Sequence, residues 1–237
     1  RHSDLFLLVR GRPEEFANRH TVEGWQISLR RSEEFGPNSR LYFGAEALHD
    51  AITSTNLGAH SRNGGAVYAA ADLRALGRFS LSAGVRGQAH RGWRSNLSPT
   101  AAGGLWLSRR LRLRASASRA FRLPSFTDLY YHDPASRGSP DLAPETAWSY
   151  DVGADGYLGR NIRAEVTFFH RRESNGIDYV RGSTSEIWRA ANIQRLRFRG
   201  LEAALWSRAG ARHSWQVRYS HLSGSRAALG NLISRYV

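Results

Sequence analysis

The sequence predicts an all-β fold, an antiparallel up-and-down β-barrel wall of about 11–12 strands. Three observations predict it. Apolar and polar residues alternate with a period of two along most of the chain, the pattern of strands with two unlike faces. No segment carries a convincing 3.6-residue period. The connections alternate between short and long, which a soluble sandwich has no reason to do and a membrane barrel requires.

The elements follow in order. A first strand is expected at 4–10 and a second at 21–31, where Trp25, Ile27 and Leu29 share a face. Leu41, Phe43, Ala45 and Ala47 mark a third at 40–49; Val67, Ala69, Ala71 and Leu73 mark a fourth at 65–73. In 78–89, Phe79, Leu81, Ala83 and Val85 oppose Ser80, Ser82 and Arg86. Strands at 98–108 and 111–121 follow, the second with Leu111 and Leu113 against Arg112 and Arg114. In 145–157, Trp148, Tyr150, Val152 and Ala154 oppose Ser149, Asp151, Gly153 and Asp155. Long strands are expected at 161–181 and 187–208, then one at 212–222 and the beginning of another at 232–237. Ile162, Val166 and Phe168 oppose Arg163 and Glu165, and Val217 and Tyr219 oppose Arg218.

The short connections are 32–39, 74–77, 109–110, 158–160 and 209–211; the long ones are 11–20, 50–64, 90–97, 122–144 and 223–231. The short link at 182–186 breaks the parity, and its long flanking strands are expected to project past the membrane. No run of apolar residues is long enough for a transmembrane helix. Low mean hydropathy does not exclude a barrel, which hides its apolar band in every second residue.

The 237 residues suit a single domain. There is no Met, so the chain is expected to be a processed product or a piece of a longer one. Without Cys there is no disulfide framework or thiol nucleophile. All 34 basic residues are Arg, which reads as coding bias, and the net charge is +14. Guanidinium groups favour phosphate and carboxylate partners. The arginines are spread over many strands rather than gathered in one patch, which argues against nucleic acid.

The stretch Arg119–Asp155 contains R-L-P-S-F-T-D-L-Y and P-D-L-A-P-E. It resembles the signature of TonB-dependent outer-membrane receptors, with Arg122, Pro124, Asp128, Leu129 and Tyr130 on the first motif. Pro140, Leu142, Pro144 and Glu145 fall on the second. Asn192, Gly200 and Glu202 resemble the family's N-x(n)-G-[VLI]-E strand. Phe6–His20, with Leu8, Arg10, Pro13 and Asn18, is similar to the subgroup that includes vitamin B12 receptors.

The resemblance implies a Gram-negative outer-membrane receptor for energy-dependent uptake of a ferric siderophore, haem or cobalamin. It implies as partners outer-membrane lipid and lipopolysaccharide, a plug domain, and the TonB complex. It implies a monomer when full length. No plug domain and no terminal strand ending in Phe or Trp are found. Residues 1–237 are therefore expected to be one partial barrel domain, an open curved sheet. The alternatives are a passive porin or other outer-membrane barrel, or a soluble β-sandwich binding module.

No catalytic constellation, metal site or cofactor is assigned. Gly103-Gly104 reads as a bend or bulge. His49, Asp50 and His60 flank one long connection, His90 and Trp93 lie at another, and His132 and Asp133 in a third. These invite a metal reading, but solvated loop or lumen residues explain them better, since no two His are spaced i, i+2 on a strand. Trp93, Arg94, Tyr130, Tyr131, His132 and Asp133 are the candidate ligand-binding residues, because aromatic faces and charged groups on long loops suit a large planar or anionic ligand. Trp25, Trp106, Trp148, Tyr150, Trp206, Trp215 and Tyr219 are expected in interfacial girdles. Arg78, Arg86, Arg112, Arg114, Asp151, Asp155, Arg163, Glu165, Glu202 and Arg218 are expected to face the lumen, hydrating it and bonding a plug.

Overall fold

The computed structural model describes residues 1–7, 12, 17–159, 161–193, 195–210, 212–226 and 231–235. In chain order the elements are β1 (His2–Leu7), β2 (Ala17–Glu34), β3 (Ser39–Ser54), β4 (Gly58–Leu76), β5 (Phe79–His90), β6 (Asn96–Ser108) and β7 (Leu111–Arg122). Then come α1 (Phe126–Tyr130), β8 (Ser136–Arg137), β9 (Glu145–Leu158), β10 (Ile162–Ser174), β11 (Gly176–Arg181) and β12 (Trp188–Ile193). β13 (Leu196–Ala209), β14 (His213–Arg226) and β15 (Ile233–Ser234) complete the set. Among the described residues no helix is long and apolar enough to cross a membrane, which says nothing about strands.

Eleven strands form one sheet in the order β1-β2-β3-β4-β5-β6-β7-β9-β10-β13-β14, each antiparallel to its neighbour. β1 and β14 are edges and do not pair, so the sheet is open, as expected. The expectation of antiparallel pairing alone fails at one place. β15, β11, β12 and β8 form a second, four-stranded sheet in which β12 and β8 run parallel.

One register carries the two faces across the main sheet. Phe79, Leu105, Leu113, Ala154, Val166, Ala203 and Tyr219 stand opposite one another in succession from β5 to β14. The next row is Ser80, Gly104, Arg114, Gly153, Thr167, Glu202 and Ser220. Arg86, Arg112, Arg163, Glu165 and Arg218 fall on the polar face as predicted; Leu81, Val85, Leu111, Ile162, Phe168 and Val217 fall on the apolar one.

The apolar face is the more exposed. Val67, Val152 and Phe168 keep 65%, 61% and 62% of their surface, whereas Asp155 on the polar face keeps 5%. Glycines show the same asymmetry. A Cβ at Gly84, Gly104 or Gly153, on the polar face, would lie 2.8, 2.6 or 2.7 Å from its nearest neighbour. At Gly87, Gly103 or Gly156, on the apolar face, the nearest atom is 3.9, 3.8 or 3.9 Å away. The polar face is crowded, as the concave side of a curved sheet must be. Ion pairs bridge it, Arg86 to Glu46 on β3 at 2.7 Å and Arg114 to Asp155 at 3.1 Å, and Arg114 also donates to the Thr167 hydroxyl at 2.5 Å.

Short links gather at one end of the sheet, between β2 and β3, β4 and β5, β6 and β7, β9 and β10, and β13 and β14. Gly77 and Gly159 take φ of +65° and +69° there, a region open to Gly at no steric cost. Four sequence expectations need correction at the loop end. The connection expected at 50–64 is a three-residue turn, because β3 and β4 continue to Ser54 and from Gly58. The strand expected at 161–181 breaks at Asn175, whose φ of 58° turns β11 out of the main sheet. The strand expected at 187–208 likewise divides into β12 and β13, and the one expected from Leu232 joins β11 rather than the main sheet.

Trp106 and Trp206 also depart from expectation. They lie on the polar face, opposite Arg112 and Arg163. Arg112 sits over Trp106 at 5.8 Å, Trp106 stacks on Tyr157 at 6.0 Å, and Arg163 lies over Tyr157 and Trp206 at 5.8 and 5.1 Å. Cation–π contact holds these rings on the side where the guanidinium groups are. Trp25, Trp148, Tyr150, Trp215 and Tyr219 are on the apolar face, as expected.

Glycine substitutions separate the two faces. Gly153→Ala drives a methyl into the Val166 carbonyl and is expected to destabilise the full-length receptor by about 1–3 kcal/mol, whereas Gly156→Ala changes it by less than about 0.5 kcal/mol. Equilibrium unfolding in detergent checks this; equal effects would remove the concave-face assignment.

Candidate functional site

The long connection after β7 is built by its own side chains. Ser125 caps α1, accepting from the Asp128 amide at 3.1 Å, while the Asp128 carboxylate accepts from the Ser125 amide at 2.9 Å. This reciprocal box stabilises a single turn too short to hold itself. Leu129, buried beneath the turn, joins Leu142, Tyr179 and Ala190 in a small core with Trp93, Tyr130, Ile177 and Trp188 packed around it. The second sheet and α1 thus form a cap over the loop end.

The motif residues are the joint between cap and wall. Arg122, the last residue of β7, pairs with Glu145, the first of β9, and reaches Asp128 at 3.4 Å. The other Glu145 oxygen accepts from the Ile177 amide of β11 at 2.7 Å. Asn192 donates to the carbonyls of Ala143 and Asn175 at 2.9 and 2.7 Å and accepts from the Ala143 amide at 2.7 Å. Pro124 is fully buried, and its carbonyl accepts from Arg62 at 3.0 Å. Pro140 is exposed and Pro144 half-buried. Gly200 lies under the Phe169 ring, where any Cβ would collide, and Glu202 is exposed on the polar face.

β4 clamps the cap from the other side. His60 stacks on Tyr130 at 3.5 Å, nearly parallel, and its Nε2 lies 2.7 Å from the Leu57 carbonyl. Arg62 lies over Phe126 at 4.9 Å and pairs with Asp50 at 3.3 Å. His49 faces the other way, stacked on Trp25 at 5.6 Å with Nδ1 2.6 Å from the Asn63 side-chain Oδ1. Sequence reasoning placed His60 and Arg62 in the connection 50–64 and missed the clamp.

The six candidate ligand residues separate into three kinds. Trp93 and Tyr130 pack against the cap core. Tyr131 and Asp133 hold a turn: the Tyr131 hydroxyl donates to Asp133 at 2.9 Å, and the Ala135 and Ser136 amides donate to it at 2.7 and 2.5 Å. Burial pushes the Asp133 carboxyl up, but these three donors outweigh it and hold the group below the usual carboxylate range. Burial, then the bond to Asp133, raises the Tyr131 phenol. Arg94 and His132 are exposed, and the His132 amide donates to Asn56 at 3.2 Å. Among the described residues no group of three His, Asp or Glu side chains is placed to hold a metal ion.

Glu145→Ala strips Arg122 of its closest partner and leaves the Ile177 amide without an acceptor, a loss of about 1–3 kcal/mol to the cap. Hydrogen exchange of residues 176–193 is expected to accelerate while β9 and β10 stay protected. Unchanged exchange would mean the cap does not depend on this joint.

The chain matches the model of the TonB dependent receptor-like β-barrel family over residues 11–235. It is 31% identical to the vitamin B12 transporter BtuB of Vibrio vulnificus (strain YJ016) over 88 residues, which is 37% of this chain and 14% of that protein. Its fold is similar to the siderophore receptor PirA of Pseudomonas aeruginosa, with a TM-score of 0.78, 20% identity, and coverage of 89% of this chain and 42% of that one. It is similar also to the Serratia marcescens hemophore receptor HasR, solved as a double mutant with hemophore HasA and heme (TM-score 0.71, 19% identity, 87% and 42% covered). The chain therefore spans less than half the length of these relatives. The family is one of transport receptors rather than enzymes, and this chain, whose eleven-stranded wall and Arg122–Glu145 motif agree with the match, belongs to the TonB-dependent receptor β-barrel family.

Proposed function

We propose that the chain forms part of the wall of an outer-membrane receptor that captures a scarce ligand, a ferric siderophore, haem or cobalamin, for energy-dependent uptake. The observation that carries this reading is the exposed apolar face, continuous in register from β5 to β14. Water penalises such a face and lipid does not. Short turns at one end and a cap at the other support a periplasmic and an extracellular side. The polar concave face suits a plug domain, on which the TonB complex of the inner membrane would act.

Ligand capture is assigned to the cap. Arg94 and His132 present their side chains directly; Trp93, Tyr130, Tyr131 and Asp133 fix the surface that carries them. The similarity to a vitamin B12 transporter and to siderophore and hemophore receptors supports the ligand class and does not choose within it.

Three measurements on the full-length receptor test this. Val166→Arg, in mid-band, is expected to destabilise the receptor in lipid by about 2–4 kcal/mol; an unchanged unfolding free energy would count against lipid contact. Cells bearing the receptor are expected to take up one of labelled ferric siderophore, haem or cobalamin, and to stop when the proton gradient is collapsed. Arg94→Ala combined with His132→Ala is expected to weaken capture about tenfold without lowering receptor abundance. Undiminished capture would move recognition to the plug or to other loops.

A further inference from the structure

The loop-end rim of the apolar face is not apolar. Beyond the Val152–Phe168–Leu201 row, the face carries Arg119, Arg172, Arg197 and Arg199, with Trp148 between the first two. Arg119 stands opposite Trp148, Trp148 opposite Arg172 and Arg172 opposite Arg197, one row across four strands. The row below it places Arg199 beside His170. Arg172, Arg197 and Arg199 are exposed.

All six acidic residues of β7, β9, β10 and β13 are on the opposite face, in phase with Arg122, Arg114 and Thr167. None of the four arginines has a carboxylate partner among the described residues. Arg172 donates to His170 at 2.9 Å, and Arg119 to the Leu97 carbonyl. Strands ~4.8 Å apart bring Arg172 and Arg197 side by side, and like charges directly opposite each other repel unless an anion lies between them.

We infer that this rim binds the phosphorylated headgroup of an outer-leaflet lipid. The inference rests on the membrane reading proposed above. Geometry places the cluster at the right depth. Trp148 lies ten residues along β9 from Leu158 (158 − 148 = 10), at the turn end. At ~3.4 Å per residue and a tilt of ~40°, that climb is ~26 Å, close to the height of ~25 Å of a lipid-facing band. Trp148, stacked on Tyr150 at 6.0 Å, marks the interface where amphipathic rings settle. Guanidinium groups chelate phosphate in pairs, and their methylene stems lie along apolar surface. A soluble anion would not need a site fused to the edge of an apolar band.

The test uses full-length receptor reconstituted in nanodiscs containing bis-phosphorylated lipid A, the same glycolipid stripped of phosphate, or phosphatidylethanolamine alone. Native mass spectrometry after detergent extraction is expected to find phosphorylated lipid A retained and the stripped lipid lost. R119Q/R172Q/R197Q/R199Q is expected to retain about tenfold less, and R109Q/R110Q, in a turn at the other end, as much as the unaltered receptor. Should the fourfold variant misfold, R197Q/R199Q serves in its place with the loss in the same direction. Equal retention by the variants, or displacement of the lipid by millimolar inorganic phosphate, would overturn the site. Heat-modifiable migration of the unaltered receptor is followed in parallel. Its absence would defeat the membrane reading itself, whereas its presence with equal retention would defeat this site alone.

Discussion

A two-residue period held in one register across the main sheet is the constraint on which the rest depends. Antiparallel pairing fixes which side chains stand opposite each other, and a slip of one residue in any strand would carry its guanidinium groups into the apolar face. From β5 to β14 no slip occurs at the level of Val166, and the two local shifts, between Leu73 and Leu76 and between Trp106 and Ser108, lie at the turn end. Both faces follow from that. The outer one is apolar and exposed, as a face proposed to meet hydrocarbon would be. The inner one is polar, crowded and cross-linked by Arg–carboxylate pairs, Arg114–Asp155 between the neighbours β7 and β9 and Arg86–Glu46 across β4 from β5 to β3.

The cap depends on the wall in turn. β7 and β9 are adjacent, so Arg122 and Glu145 meet at their ends, and the chain between them must leave and return at one point. Everything in the cap is built over that pair: α1 by its Ser125–Asp128 box, β11 by the Ile177 amide on Glu145, and β12 by Asn192. Motif residues that look like candidates for chemistry are therefore structural supports. The exposed residues proposed for recognition, Arg94 and His132, sit beside these supports, and a surface ordered in advance reduces the ordering cost of binding.

Much of this was legible in the residues. Alternation located the strands of the main sheet and assigned the faces, because two faces in unlike surroundings impose a two-residue period on the sequence. What escaped was either too short to have a period or carried by a single residue. α1 has five residues, less than two turns, and only its Ser125-x-x-Asp128 spacing announced it. The break after Ser174 was written in Asn175-Gly176, a turn dipeptide overlooked inside a convincing strand pattern. Trp106 and Trp206 were given to the lipid face because they are aromatic, although Thr100 and Glu202, each an even number of residues away, put both in the polar phase. The His60–Tyr130 and Arg62–Pro124 contacts join distant parts of the chain and have no local signature.

Lipid contact by alternate residues can be read directly along β10. Spin labels placed one at a time from Ile162 to Phe169 in full-length receptor reconstituted in bilayers report collisions with oxygen, which partitions into lipid, and with a water-soluble nickel chelate. The expected result is oxygen contact peaking at 162, 164, 166 and 168 and falling at 163, 165, 167 and 169. A flat profile, or one in the opposite phase, would contradict a wall that turns its apolar face to the membrane.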